Sequence, residues 1–138
     1  MMRSEFVFTA RSMIGTPFMH QGRMPGQALD CAGLVVCAAA ACGHTISDRY
    51  GYSDSPHHGV FDEAMRENCD PIELADVRPG DLMTFAFVRQ PQHVAIVTQT
   101  APLQIVHAWM DAGRTAENGL DDYWRRRLRG CWRLRGID

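Results

Sequence analysis

The periodicity of the chain switches from helical to extended at Arg78-Pro79-Gly80-Asp81, and that change restricts the fold more than any other feature. Before it, apolar residues recur at helical spacing. After it, they fall in short runs rich in valine, isoleucine and phenylalanine, separated by polar breaks. Helices gathered in the N-terminal half and strands in the C-terminal half predict an α+β fold, N-terminal helices packed on a C-terminal antiparallel sheet. With 138 residues, 46% of them hydrophobic, the chain has material for one core and not for two. A single domain over 1–138 is expected.

The first helix is predicted over 4–14, where Phe6, Ala10 and Met13 or Ile14 share a face and Gly15-Thr16-Pro17 stops the run. A second is expected over 30–42, apolar on nearly every side, with Asp30 as its N-cap and Gly43 as its stop. That composition marks a buried central helix. A third should open at Ser55-Pro56, carry Phe61, Ala64, Met65 and Asn68 on one face, and break at Asp70-Pro71. Consecutive antiparallel strands are predicted over 82–88, 93–98 and 104–109. Leu120, Tyr123 and Trp124 suggest one more helix, and 132–137 alternates as an edge strand does.

Composition removes several function classes. The formal charge is −2, which gives no electrostatic reason to expect nucleic acid, and the local run Arg125-Arg126-Arg127-Leu128-Arg129 reads as a solvated helix end. No run approaches the roughly 20 apolar residues that cross a bilayer, so no membrane partner is expected. Met1-Met2-Arg3-Ser4-Glu5-Phe6 lacks a secretory profile, so the chain is expected in the cytoplasm when made. Five cysteines form no even framework and no Cys-x2-Cys pair. Neither disulfides, nor a metal site, nor a cofactor is expected. An edge strand and alanine-rich faces are compatible with monomer and dimer alike.

Cys31 stands apart from the other cysteines because it falls where a loop becomes a helix. The first turn of a helix offers unpaired N–H groups and the positive end of the macrodipole, a setting that favours thiolate. Cys37, Cys42, Cys69 and Cys131 read as core. His93 and His107 lie in neighbouring strand-like runs, and counting back from the 98–103 turn sets them opposite one another. A cysteine, a histidine and a third group that orients the histidine make a nucleophilic triad.

These residues resemble the NlpC family of papain-like cell-wall peptidases. The resemblance rests on Asp30-Cys31-Ala32-Gly33-Leu34, Arg78-Pro79-Gly80-Asp81-Leu82, His93-Val94-Ala95-Ile96-Val97 and Ile105-Val106-His107-Ala108, in the family's order. The stretch 15–23, Gly15-Thr16-Pro17-Phe18-Met19-His20-Gln21-Gly22-Arg23, looks most like the branch carried by phages, prophages and related particles. What the resemblance implies is a cysteine amidohydrolase of peptidoglycan stem peptides, cutting between the γ-carboxyl of D-glutamate and meso-diaminopimelate. Cys31 would be the nucleophile, His93 the base and then acid, and His107 the orienting residue. Other phage tail proteins are implied as partners.

Two positions depart from the family pattern. Ala32 stands where many members have serine, and Phe18 falls in the stretch where many relatives place a tyrosine whose hydroxyl helps stabilise the oxyanion. Losing one such donor costs about 100- to 1000-fold in rate. His20, Gln21 and Arg23 are the candidates to replace it. Arg23 is also a candidate for a substrate carboxylate, Asp30 is a cap beside the thiol, and Tyr50 and Tyr52 are candidates to line a groove. Three function classes therefore stand: a peptidoglycan endopeptidase or amidase, a tail structural component with weak or lost chemistry, and a thiol acyltransferase on the same scaffold.

Overall fold

The computed structural model describes residues 1–49 and 59–138. The chain opens with α1 (Arg3–Ser12), runs through the short strands β1 (Arg23–Met24) and β2 (Ala28–Leu29), and enters α2 (Cys31–Ala41). After α3 (Val60–Asn68) come β3 (Cys69–Ile72), a turn of 3-10 helix at Leu74–Asp76, β4 (Leu82–Phe85), β5 (His93–Thr100), β6 (Leu103–Trp109) and β7 (Arg114–Gly119). A one-turn helix, α4 (Asp122–Arg125), precedes β8 (Leu128–Leu134). The α+β expectation holds: β3 to β8 form a six-stranded antiparallel sheet in the order β3-β8-β4-β5-β6-β7. No helix among the described residues is long and apolar enough to cross a membrane.

Strand alternation divides the core in two. On one side of the sheet Leu82, Val94, Ile96, Val106, Ala108 and Leu134 pack with Phe6 and Ala10 of α1 and Leu34, Val35 and Ala38 of α2. On the other side Met83, Phe85, Ala95, Val97 and Ile105 pack with Leu120 and with Trp124 of α4. Trp124 covers this side together with Leu120, Val77 and the partly buried Trp109 and Tyr123. Aromatic side chains dominate such packing through the area that they bury.

Four expectations are corrected. The strand predicted over 132–137 begins earlier, at Leu128, and is not an edge: it lies between β3 and β4, and Leu82 pairs with Trp132. A true edge strand, β3, occupies residues predicted to be a helix stop, and its Pro71 is tolerated because only β8 flanks it. β7 was not expected at all, since Arg114-Thr115-Ala116-Glu117-Asn118-Gly119 has little β-branched or aromatic content. Of the basic run, Arg127 is not simply solvated; its guanidinium lies 3.6 Å from the centre of the Tyr123 ring. The predicted start of the third helix, at Ser55-Pro56, lies outside the described residues.

Asp81 explains the Arg-Pro-Gly-Asp turn. It is fully buried, accepts from the Arg78 N–H at 2.8 Å, and is held by Arg3 of α1 at 2.9 Å and by both arms of Arg133 of β8 at 2.8 and 3.0 Å. Three segments distant in sequence are tied to one carboxylate. The guanidinium groups hold its pKa below the ordinary carboxylate value against the opposing effect of burial.

Candidate active site

α2 begins at Cys31 because Asp30 caps it. The buried Asp30 carboxylate accepts from the Gly33 N–H at 2.7 Å, an arrangement typically worth about 1 kcal/mol. Its other oxygen accepts from the Gln21 N–H at 2.8 Å, while Arg23 donates at 2.9 Å to the oxygen that caps Gly33 and bonds Asp48 with its remaining nitrogens at 2.9 and 3.0 Å. The loop before the helix lies hard against its first turn. A Cβ on Gly33 would stand 2.1 Å from the Gly22 carbonyl oxygen, so only glycine fits at that position.

The Cys31 sulfur receives the backbone N–H groups of Ala32 and of Val94, the residue after His93. Both favour thiolate, as the helix start does. Burial nevertheless dominates, aided by the Asp30 charge, and pushes the thiol up to about 12. The residue keeps some exposed surface, yet neighbouring atoms crowd the sulfur itself. The expectation of a resting thiolate is therefore corrected: the thiol rests protonated.

His93 and His107 lie on the aromatic side of the sheet, away from the α1 and α2 packing, and meet the thiol's surroundings only at the end of the sheet where β5 starts. Cys31, His93, Phe18, His20, Trp109 and Tyr123 line one cleft of about 480 Å³. The rings of His93 and His107 are in contact, Nε2 to Nδ1, at 2.6 Å. They are diagonal and not opposite as expected: the pairing Ile96↔Val106 continues to set His107 level with Ala95. Phe85, Phe87 and Trp124 surround His93, while Trp109 and Trp124 flank His107. Burial in that shell lowers His93 well below its ordinary pKa, with the neighbouring ring adding to the effect, and lowers His107 to about 4.

A residue that the sequence reading missed completes the row. Asn118 of β7 contacts His107 Nε2 through Oδ1 at 2.6 Å, and its Nδ2 donates to the Gly119 carbonyl at 3.0 Å. With β7 unrecognised, nothing in the sequence brought Asn118 to the histidines.

The remaining candidates separate. His20 lines the cleft and lies 3.4 Å from the Gln21 amide. Gln21 gives its backbone N–H to Asp30. Arg23 lines the cleft while its guanidinium is engaged by two aspartates, and Asp30 is buried as the cap. Phe18 stands at the cleft, tied by its N–H to Gly113 and flanked by Pro17 and Met19, which bond Leu29. Tyr50 and Tyr52 lie outside the described residues. Cys69 and Cys131 are buried core residues, as expected.

Known proteins are similar to this chain in sequence and in fold. The "Probable endopeptidase Rv2190c" of Mycobacterium tuberculosis is 31% identical over 83 residues, 60% of this chain and 18% of that protein, so the chain spans less than a fifth of its length. An NlpC/P60 family protein from Bacillus cereus superposes with a TM-score of 0.75 at 18% identity, covering 96% of this chain and 40% of the other. The NlpC/p60 domain of the peptidoglycan hydrolase SagA gives 0.70 at 19% identity, covering 96% of this chain and 98% of that domain. The sequence profile described as the NlpC/P60 family matches residues 15–133. The chain belongs to the NlpC/P60 family.

Proposed function

We propose that this protein is a cysteine peptidase that hydrolyses amide bonds of peptidoglycan stem peptides, at the bond between the D-glutamate γ-carboxyl and meso-diaminopimelate. The observation that carries the reading is the shared cleft: a helix-start thiol and His93, itself hydrogen-bonded to the buried His107 behind it, line the same space. Family membership and the similarity to a probable endopeptidase and to a peptidoglycan hydrolase domain support the substrate class.

In this reading both partners start neutral. His93 takes the thiol proton as the Cys31 sulfur attacks the amide carbonyl, so charge appears only as the bond forms. The tetrahedral oxygen is stabilised by the Cys31 backbone N–H at the helix start. His93 then returns the proton to the leaving amine, and water hydrolyses the thioester. His107 holds the His93 ring in place through the 2.6 Å contact between Nδ1 and His93 Nε2. His20, at the cleft beside Phe18, is the second oxyanion donor in place of the missing hydroxyl.

Incubation of the purified protein with a γ-D-glutamyl-meso-diaminopimelate stem peptide tests the proposal. Mass spectrometry should show cleavage that vanishes in Cys31→Ala. Cleavage persisting in that variant would overturn it. A second reading, a phage tail or tail-like structural component of the same fold with weak or lost activity, is favoured by Phe18 and by the resemblance of 15–23 to that branch. No cleavage by the intact protein, with stable incorporation into particles, would select it.

A further inference from the structure

Asn118 belongs to a regular pattern that the triad does not account for. His107 pairs with Ala116 and Ile105 with Asn118, so moving from β5 to β6 to β7 shifts the polar residue by two positions at each strand. His93, His107 and Asn118 form one diagonal row on one face of the sheet, joined by two contacts of 2.6 Å. We propose that Asn118 is a positioning residue whose amide sets the direction of every proton in this row, and so leaves His93 Nδ1 unprotonated toward the thiol.

The direction follows from donor and acceptor counting. Asn118 Nδ2 donates to the Gly119 carbonyl, and turning the amide over would set Oδ1 against that carbonyl, acceptor against acceptor. Oδ1 therefore faces His107 and accepts from Nε2–H. A neutral imidazole has one donor and one acceptor, so His107 Nδ1 accepts, and it accepts from His93 Nε2–H. His93 Nδ1 is left with its lone pair, the only form of the ring able to take the Cys31 proton. Burial of both rings holds them in the neutral state that this counting requires.

The row is also reversible as a unit. An apolar side chain at position 118 would strand the His107 Nε2–H without an acceptor, a cost that moving the proton to Nδ1 relieves. His107 then donates to His93 Nε2, and the His93 proton is forced onto Nδ1, the ring nitrogen left for the cleft that Cys31 also lines. A base becomes a donor although no catalytic side chain has been altered.

The inference rests on the cysteine peptidase reading, but its first readout does not need activity. In ¹⁵N-labelled protein, long-range ¹H–¹⁵N spectra distinguish the two ring tautomers. Both histidines should carry the proton on Nε2 in the native chain and on Nδ1 in Asn118→Leu. With the stem peptide, Asn118→Leu should lose about 100-fold in kcat with KM changed less than about 2-fold, the size of effect typical of an orienting partner behind a reactive group. Asn118→Asp keeps an acceptor and should stay within a few-fold of native. Asn118→Ala admits water as a substitute acceptor and should lose less than Asn118→Leu, the reverse of what a packing role would give. Asn118→Val, suited to a strand, carries the same readout should the leucine variant fold poorly. Unchanged tautomers in both apolar variants, or unchanged kcat, would overturn the inference. Spectra as expected in a protein whose Cys31→Ala form cleaves equally well would instead overturn the peptidase reading alone.

Discussion

At the junction of α1, β4 and β8, Asp81 is gripped by two guanidinium groups; across the aromatic face, His93, His107 and Asn118 bond one another with no formal charge at all. Both clusters are buried polar networks, and both join segments far apart in sequence. The first uses charge because its partners have only to stay in place, and opposite charges cancel the cost of leaving water. The second is built from groups that can each give and accept a proton. A carboxylate fixed among arginines could not pass a proton along, and a row of neutral rings could not anchor three segments as firmly. Asp30 stands between the two designs: it anchors like Asp81, yet it sits beside the thiol, and its charge adds to the burial that keeps the sulfur protonated.

Breaking the charged cluster should produce the larger change in stability. Asp81→Ala leaves Arg3 and Arg133 without their shared acceptor, and a loss of about 3 kcal/mol is expected, the lower end for a broken buried pair because Arg133 is 31% exposed. Urea denaturation measures it; a shift below about 1 kcal/mol would mean that the arginines find other partners.

The two clusters also separate by pH. His107 is lowered to about 4 from 6.5, so between those values the unfolded chain binds a proton that the native chain refuses. Its contribution is complete above pH 6.5 and is lost as the pH falls toward 4, with His93 acting in the same direction. Asp81 has a depressed pKa, so what it contributes is present above its unfolded value of 3.8 and is lost only below it. Denaturation at several pH values should therefore show a first decline that His107→Gln flattens and a more acidic one that it leaves alone. Parallel curves for native and variant between pH 4 and 6.5 would break the distinction.

The smallest effect is expected where charge is exposed. Arg11 makes two bonds to Glu117, yet it is 42% exposed, and Arg11→Ala should cost under about 1 kcal/mol, less still at high salt. A larger loss would show that Glu117, which also accepts from Thr98 at 2.6 Å, depends on the arginine to hold β7 in register.

The sequence made legible those parts whose local signals agree with their tertiary surroundings. α2, its Asp30 cap, and β4 to β6 carry strong periodicity, so the thiol and both histidines are legible in the sequence as candidates. What was hidden depends on contacts between distant segments. β7 is polar and becomes a strand because β6 offers it a ladder; 132–137 reads as an edge because it alternates apolar and charged residues, whereas Arg133 turns back to Asp81. The thiol's protonation was misjudged for a similar reason: the helix start is visible in sequence, but the atoms that crowd the sulfur are not. Asn118 was out of reach because its role exists only through a strand that propensity does not reveal.

The central position of β8 bears on how the molecule is made. β3 has only β8 as a neighbour, and β4 shows an unpaired edge until residues 128–134 arrive to fill the gap. During synthesis that edge stands open until residues 128–134 emerge, available to any other extended segment. Arg133 closes it with a charge that must find Asp81, so the final join is guarded by an electrostatic key that a foreign strand would lack.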